Sequence, residues 1–405
     1  MQGEEGNHMK VLITTDCYTP TVNGVVTSVK NLKRELTKLG HKVRILTMSD
    51  SLQSTENEGV IYLGSLSAGK IYPGARLSLS RDNKYIDELL TWGPDIIHSQ
   101  SEFSTFSIAR KISKKLQVPL VHTYHTVYED YTHYFSPVEK WGKTMAALFT
   151  RATLKHTDYV IAPTEKVFTL LKGYGVAQET RVVPTGIQLC QFKSHISEDQ
   201  KNALKEAMKI PKENRVMVTV GRLAKEKNIE ELLRYLSKIR RDDLTLLIVG
   251  DGPHRESLQK YAEQIGLSRQ VVFTGMVPPA KVGLYYQLGD LFVSASNSET
   301  QGLTYIEALA NGVPILCRKD DCLANVIRDG QNGWQYESYL QFRKQLNEML
   351  TAKLDDMQKK SIAAGVQHFS SEKFGKEVEK LYLSAIESAR LDLSAQSLAT
   401  AGFAE

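Results

Sequence analysis

At 405 residues, with 41% hydrophobic and 24% charged side chains, the chain has the make-up of a soluble globular protein of two domains, each long enough to bury its own core. No run approaches the ~18 apolar residues of a membrane span and no secretory signal is legible. The net charge of +5 is uneven: residues 9–186 hold 22 Lys and Arg against 16 Asp and Glu, while residues 187–405 hold 29 against 28. The first half is therefore the basic one and expects an acidic partner, but it lacks the interleaved aromatic and basic residues of a nucleic-acid-binding module. Cys17, Cys190, Cys317 and Cys322 lack the spacing of a metal site and read as reduced thiols of a cytoplasmic protein.

The eight residues before Met9 read as vector-derived and stand outside the fold. From there "KVLITTD" predicts a buried strand, and "GVVTSVKNLKRELTKLG" a helix with apolar positions at Val25, Val29, Leu32, Leu36 and Leu39, stopped by Gly40. Strands "KVRILTM" and "DIIHSQ", helix "SIARKISKKL", strand "PLVHTYH", a long helix over residues 139–156 and strand "YVIAPT" follow, and "RVVPTGI" closes the half. A polar helix, "SEDQKNALKEAM", leads into a second series whose strands are "VMVTVG", "LTLLIVG", "VVFTG" and "LFVSAS". Alternating strands and helices imply parallel, doubly wound sheets. The expected architecture is α/β, two Rossmann-like domains over residues 9–186 and 187–374 facing each other across a cleft, with C-terminal helices from about 375 to 405 packing back on the first. Ligands in such sheets bind at the carboxyl ends of strands.

The motifs lie there. "VGRLAKEKN" places Gly221, Arg222 and Lys227 on one loop after a strand, two cations that suit a diphosphate. "VGDGP" and "FTGMVP" are glycine turns after strands. In "SETQGLTYIEALANGVPIL" Gly302 stands where a strand hands over to a helix N-terminus, which favours an anion. Glu299 and Glu307 flank that site, and a carboxylate beside an anion more plausibly accepts from hydroxyls. A phosphate with sugar hydroxyls on either side suits both, so the expected ligand is a nucleotide-sugar. In the first half, Asn23 and Gly24 precede a helix, and "HTYHTVYEDYTHYF" concentrates His122, His125 and His133 with four tyrosines. His125 is the better site residue; a metal reading of His122-x-x-His125 lacks an acidic ligand. "KDD" at residues 319–321 reads as surface charge. There is no P-loop and no Gly-x-Gly-x-x-Gly after the first strand, which argues against a P-loop ATPase and a dinucleotide oxidoreductase.

Together "NGVVTSV", "HTYHTVYEDY", "VPTGI", "VGRLAKEKN", "VGDGP" and "SETQGLTYIEALANGVPI" resemble glycosyltransferase family 4, the retaining GT-B enzymes, over nearly the whole chain. Within it "YEDYTHYF" and "ETQGLTYIEA" look most like the bacterial diacylglycerol α-glucosyltransferases. "CLANVIRDGQNGW" departs from the pattern by lacking a small Gly-rich turn. The resemblance implies a donor site of Gly24, Gly221, Arg222, Lys227, Val277, Glu299, Thr300, Gly302, Leu303, Thr304 and Glu307. Arg222 and Lys227 would hold the diphosphate, Leu303 and Thr304 offer N–H groups to phosphate, Glu307 accept from the ribose, Glu299 face the donor sugar and His125 lie beside it. His125, Glu299, Arg222 and Lys227 are the catalytic set so implied. The donor would be UDP-glucose or UDP-galactose, the acceptor diacylglycerol or a glycosyl-diacylglycerol, with no metal or other cofactor. Basic residues beside apolar ones over residues 70–81 and 138–155 suit an anionic membrane surface on the inner face of the cell membrane. The acceptor and membrane set is Asp16, Asn23, Tyr128, Lys70, Arg76, Lys140, Trp141 and Lys143. A transferase acting on a soluble or polyprenyl-linked glycan and a non-catalytic binding module remain open alternatives.

Overall fold

The computed structural model describes residues 8–67, 76–78, 84–129, 139–192, 196–351 and 356–401, of which residues 139, 140, 356, 357 and 396–401 by backbone alone. The chain divides into two compact units, Met1–Gly186 with Ser371–Glu405, and Ile187–Ser370.

The first unit is built on an eight-stranded sheet in the order Glu179–Val182, Tyr159–Ala162, Leu120–Thr123, Ile96–Ser99, Lys10–Thr14, Lys42–Met48, Val60–Leu63, Thr55–Asn57. All neighbours pair in parallel except the last two strands. The inner strands Ile96–Ser99, Leu120–Thr123 and Tyr159–Ala162 are buried at every position, so consecutive apolar residues open them rather than alternating with polar ones, and His98, Ser99, His122 and Thr123 are buried with them. The short strands Thr55–Asn57, Val60–Leu63, Ser65–Ser67 and Arg76–Ser78, and the helix Lys84–Trp92, carried too little periodicity to be found in the sequence. Where several C-terminal helices were expected there is one, Ser371–Ala401. It buries Phe374, Val378, Leu381, Tyr382 and Ala385 in one cluster with Val11, Leu32, Leu36 and Ile45.

The second unit has a six-stranded, wholly parallel sheet in the order Val271–Gly275, Leu244–Val249, Arg215–Val220, Leu291–Ser294, Ile315–Arg318, Gly333–Tyr336. The sequence reading found four of these strands and missed the last two. The polar helix Glu198–Ala207 starts at a capping box, with Ser197 and Gln200 bonding each other's backbone. Both faces of the sheet carry large apolar clusters, so Leu244–Val249 is buried throughout.

Candidate functional site

In the second unit strand order reverses between Arg215–Val220 and Leu291–Ser294. A doubly wound sheet leaves its crevice at such a point, because the following loops turn to opposite faces. The two loops are 221–228 and 295–302, which carry the cations and Glu299. Gly221 and Gly250 let their turns pack backbone to backbone; a Cβ on Gly250 would lie 2.0 Å from the Gly221 carbonyl oxygen. Leu223 N–H donates to Asp251 O at 2.9 Å and fixes the first loop on its neighbour.

On that base the structure brings three of the expected residues together. Lys227 Nζ donates to Glu299 Oε1 at 2.6 Å, and Arg222 Nη2 donates to Glu226 Oε1 at 2.8 Å. Asn297 N–H donates to the Glu226 carbonyl at 3.0 Å, joining the two loops. Behind them the buried Glu231 carboxylate accepts from Tyr336 Oη at 3.1 Å and Arg318 Nη2 at 3.2 Å. This holds the start of helix Ile229–Ile239, just after Lys227. Glu226, Glu231 and Asn297 were missed in the sequence because they bind protein rather than ligand.

Gly302 caps helix Leu303–Ala310 in the left-handed region, at φ 74°. Leu303 and Thr304 open that helix half-buried, so their N–H groups and the positive end of its dipole lie at the end of the Glu299 loop. Thr300 is half-buried in the same loop. Glu307 lies one turn on and accepts from Tyr286 Oη at 2.8 Å. Dry surroundings push its carboxyl up to about 7, against the lowering effect of the tyrosine hydroxyl. Val277, 8% exposed, packs in the core with Tyr286 and Tyr305, so its side chain faces protein. Lys319 and Asp320 settle as surface structure: Lys319 pairs with Glu337 at 3.0 Å and Asp320 caps Cys322 N–H at 2.9 Å.

In the first unit strand order reverses between Ile96–Ser99 and Lys10–Thr14, and polar residues gather in the loops that follow. Asp16 Oδ1 accepts from Thr105 N–H at 2.8 Å, capping helix Ser104–Leu116 from outside, while Asp16 N–H donates to Ser101 Oγ at 3.0 Å. Asp16 Oδ2 is buried without a hydrogen-bond partner among the described residues. Burial pushes the Asp16 carboxyl up to about 6, partly offset by the Thr105 bonds. His125 Nε2 lies 2.7 Å from Gln100 Oε1, and burial drives its pKa down to about 4, so the ring is neutral and donates there. Glu102 accepts from Tyr128 Oη at 2.7 Å and meets His122 Nε2 at 3.3 Å. Gln100, Ser101 and Glu102 were not anticipated, although they directly follow a strand, as the expected site residues do.

Other expected residues serve the framework. Asn23 Oδ1 caps helix Gly24–Lys38 by accepting from Val26 N–H at 2.9 Å, so Gly24 opens an ordinary capped helix. Tyr128 is buried and its hydroxyl is spent on Glu102. Arg76 donates from Nε to Ser65 Oγ at 2.7 Å and meets Asp50 at 3.3 Å, so it is a structural residue rather than part of a free basic face. Lys70, His133 and the Lys140 side chain lie outside the described residues. Trp141 and Lys143 are exposed on helix Glu139–Leu154. Among the described residues, no three His, Cys, Asp or Glu side chains are grouped to hold a metal ion.

Residues 22–190 match the model of Glycosyltransferase Family 4, and residues 200–367 that of Glycosyl transferases group 1. The chain is 35% identical over 382 residues to the alpha-monoglucosyldiacylglycerol synthase of Streptococcus pneumoniae, covering 93% of this chain and 86% of that protein. The chain belongs to glycosyltransferase family 4. This glycosyltransferase is also 34% identical over 394 residues to the alpha-monoglucosyldiacylglycerol synthase of Acholeplasma laidlawii, covering 94% of this chain and 98% of that one. Among solved structures it is similar to sucrose-phosphate synthase from Thermosynechococcus elongatus, with a TM-score of 0.73 at 19% identity over 94% of this chain and 100% of that chain. Anabaena HepE in complex with UDP-glucose gives a TM-score of 0.70 at 17% identity, over 93% of this chain and 100% of that chain. The glycosyltransferase thus has the GT-B fold, its two Rossmann-like units being those described above.

Proposed function

We propose that this glycosyltransferase moves a hexose, glucose in the first instance, from a UDP-sugar to the hydroxyl of diacylglycerol with retention at the anomeric carbon. The observation that carries the reading is the convergence of Arg222, Lys227 and the helix N-terminus at Gly302 on the two loops of the second unit's switch point. Three positive groups on one crevice suit a diphosphate. Glu307, one helical turn on, supplies an acceptor for ribose hydroxyls, and Glu299 one for the donor sugar. The two relatives named alpha-monoglucosyldiacylglycerol synthase support the lipid acceptor.

The chemistry follows from charge. As the bond from the anomeric carbon to the diphosphate oxygen breaks, negative charge grows on the leaving group, and the preorganised cations stabilise it there. The acceptor oxygen bonds the anomeric carbon from the same face, and its proton passes to the departing phosphate. Such a step needs no divalent ion, because the protein's own cations supply the counter-charge, so transfer is metal-independent. EDTA-treated protein should keep its rate; a loss restored by magnesium or manganese would overturn that part.

The enzyme docks reversibly on the inner face of the cell membrane through the first unit. Helix Glu139–Leu154 exposes Trp141 at 72%, Met145 at 53% and Leu148 at 50% along one side, with Lys143, Arg151 and Lys155 also exposed. Among the described residues no helix is long and apolar enough to cross a membrane. A basic-apolar helix is suited to lie in an anionic interface instead.

The test is product analysis with UDP-glucose and UDP-galactose, each offered diacylglycerol and monoglucosyl-diacylglycerol in vesicles. α-Glucosyl-diacylglycerol from the first pairing is expected. No lipid product from any pairing, with transfer to a soluble or polyprenyl-linked glycan instead, would overturn the acceptor.

A further inference from the structure

The one buried charged residue between Arg222 and Lys227 has no task in the transfer just described. Glu226 is only 8% exposed, although it lies in the short turn Lys225–Lys227. Carboxylates are rarely so buried unless something holds them. One oxygen, Oε1, accepts from Arg222 Nη2 at 2.8 Å; the other, Oε2, is buried with no partner among the described residues. The Arg222 side chain is 48% exposed against 5% for that of Glu226, so the pair has an inner acidic end and an outer basic one. The same residue's carbonyl accepts from Asn297 N–H at 3.0 Å, two positions before Glu299.

A guanidinium is a flat fork with five N–H donors, and anchoring one edge leaves the rest pointing in a fixed direction. Without an anchor, a long half-exposed arginine samples many rotamers and loses that freedom only when ligand arrives. We infer that Glu226 is a positioning residue: its inner carboxylate presets the Arg222 fork for a diphosphate, and its carbonyl keeps the Glu299 loop in register with it. It does not touch the donor. This rests on the reading that Arg222 meets the diphosphate.

Initial rates, UDP titration and thermal unfolding are to be compared for Glu226→Ala, Glu226→Gln, Arg222→Ala and the double variant Arg222→Ala/Glu226→Ala. Glu226→Ala should lose about 10–100-fold in kcat/KM, the scale on which removing a supporting contact acts. Glu226→Gln should recover to within about three-fold, because only one oxygen is used and the amide oxygen replaces it. The double variant should be no slower than Arg222→Ala, since a positioner has nothing left to position. Losses that multiply in the double variant, or a folded Glu226→Gln as slow as Glu226→Ala, would overturn the role. Arg222→Ala with unchanged rate and UDP affinity would instead sink the diphosphate assignment. If Glu226→Ala does not fold, Glu226→Asp, a methylene shorter, carries the same comparison.

Discussion

Both units gather polar residues where their strand order reverses, yet the two gatherings differ in charge state. In the second unit the cations keep contact with water, the Lys227 side chain 30% exposed and that of Arg222 48%, and each faces a carboxylate. In the first unit three titratable groups lie in dry surroundings that favour their neutral forms: His125 down to about 4, Asp16 up to about 6, His98 well below its usual value by the same desolvation. A half-exposed cation anchored on one side by a carboxylate can take a phosphate on its water-facing side at little desolvation cost, keeping its anchor. A buried neutral imidazole or amide suits an uncharged alcohol. On the proposed function, this contrast favours the anionic donor at the second unit and the hydroxyl acceptor at the first.

The largest effect should come from the second unit's cations. Lys227→Ala should lower kcat by ~10²–10³, the usual scale for removing one preorganised group from a developing charge, with UDP affinity falling much less. Steady-state rates beside calorimetry with UDP check this. Equal losses in both would mean that Lys227 binds the donor without favouring the transition state.

Next in size is the separation of membrane from donor. Reversing Lys143, Arg151 and Lys155 to Glu together should remove about 1 kcal/mol of anionic-surface attraction for each lysine or arginine lost, or more. Flotation with phosphatidylglycerol vesicles across a salt series should show release, while UDP affinity stays unchanged. Wild-type protein that ignores both phosphatidylglycerol content and salt would remove the electrostatic docking.

Glu307 sharpens the donor side. Glu307→Ala should weaken UDP by ~1.5–3 kcal/mol through loss of a charged acceptor. Because burial holds this carboxyl at about 7, wild-type affinity should also decline as pH falls below that value and the acceptor becomes protonated. UDP affinity that neither the variant nor acid changes would contradict the ribose assignment.

How much of this was legible in the sequence follows from what each residue contacts. The inner strands announced themselves because both faces are buried, and Arg222, Lys227, Glu299 and Glu307 stood out as candidates because they are charged residues near a glycine turn or a helix N-terminus that follows a strand. Glu226, Glu102 and Gln100 were not legible as site residues, since their task is to hold another side chain, and only folding shows which. Arg76 misled in the opposite direction: beside Ile71 and Leu77 it reads as a free basic residue, but the pairing of Ser65–Ser67 with Arg76–Ser78 turns it onto Ser65. The strands Ile315–Arg318 and Gly333–Tyr336 were not found, although they are no shorter than Leu291–Ser294; in the second, Gly333 and Gln335 break the apolar run.

The smallest expected effect tests the first unit's side of the contrast directly. Asp16 is held at about 6, above the ~3.9 of an unfolded aspartate. The folded state therefore binds the proton more tightly than the unfolded one. The stability that this difference contributes is fully present below about 3.9 and is lost as pH rises through about 6. At pH 8 the protein carries an ionised Asp16 against desolvation, with Glu102 as a like-charged neighbour, offset in part by the Thr105 N–H. Asp16→Asn keeps an oxygen for that N–H and removes the charge. It should be more stable than wild type at pH 8 by on the order of 1 kcal/mol, with the advantage vanishing near pH 4. Urea unfolding of both proteins at pH 5 and pH 8 measures it. An advantage of the same size at both pH values would show that Asp16 is not held towards its neutral form, and the contrast between the two units would lose its acidic half.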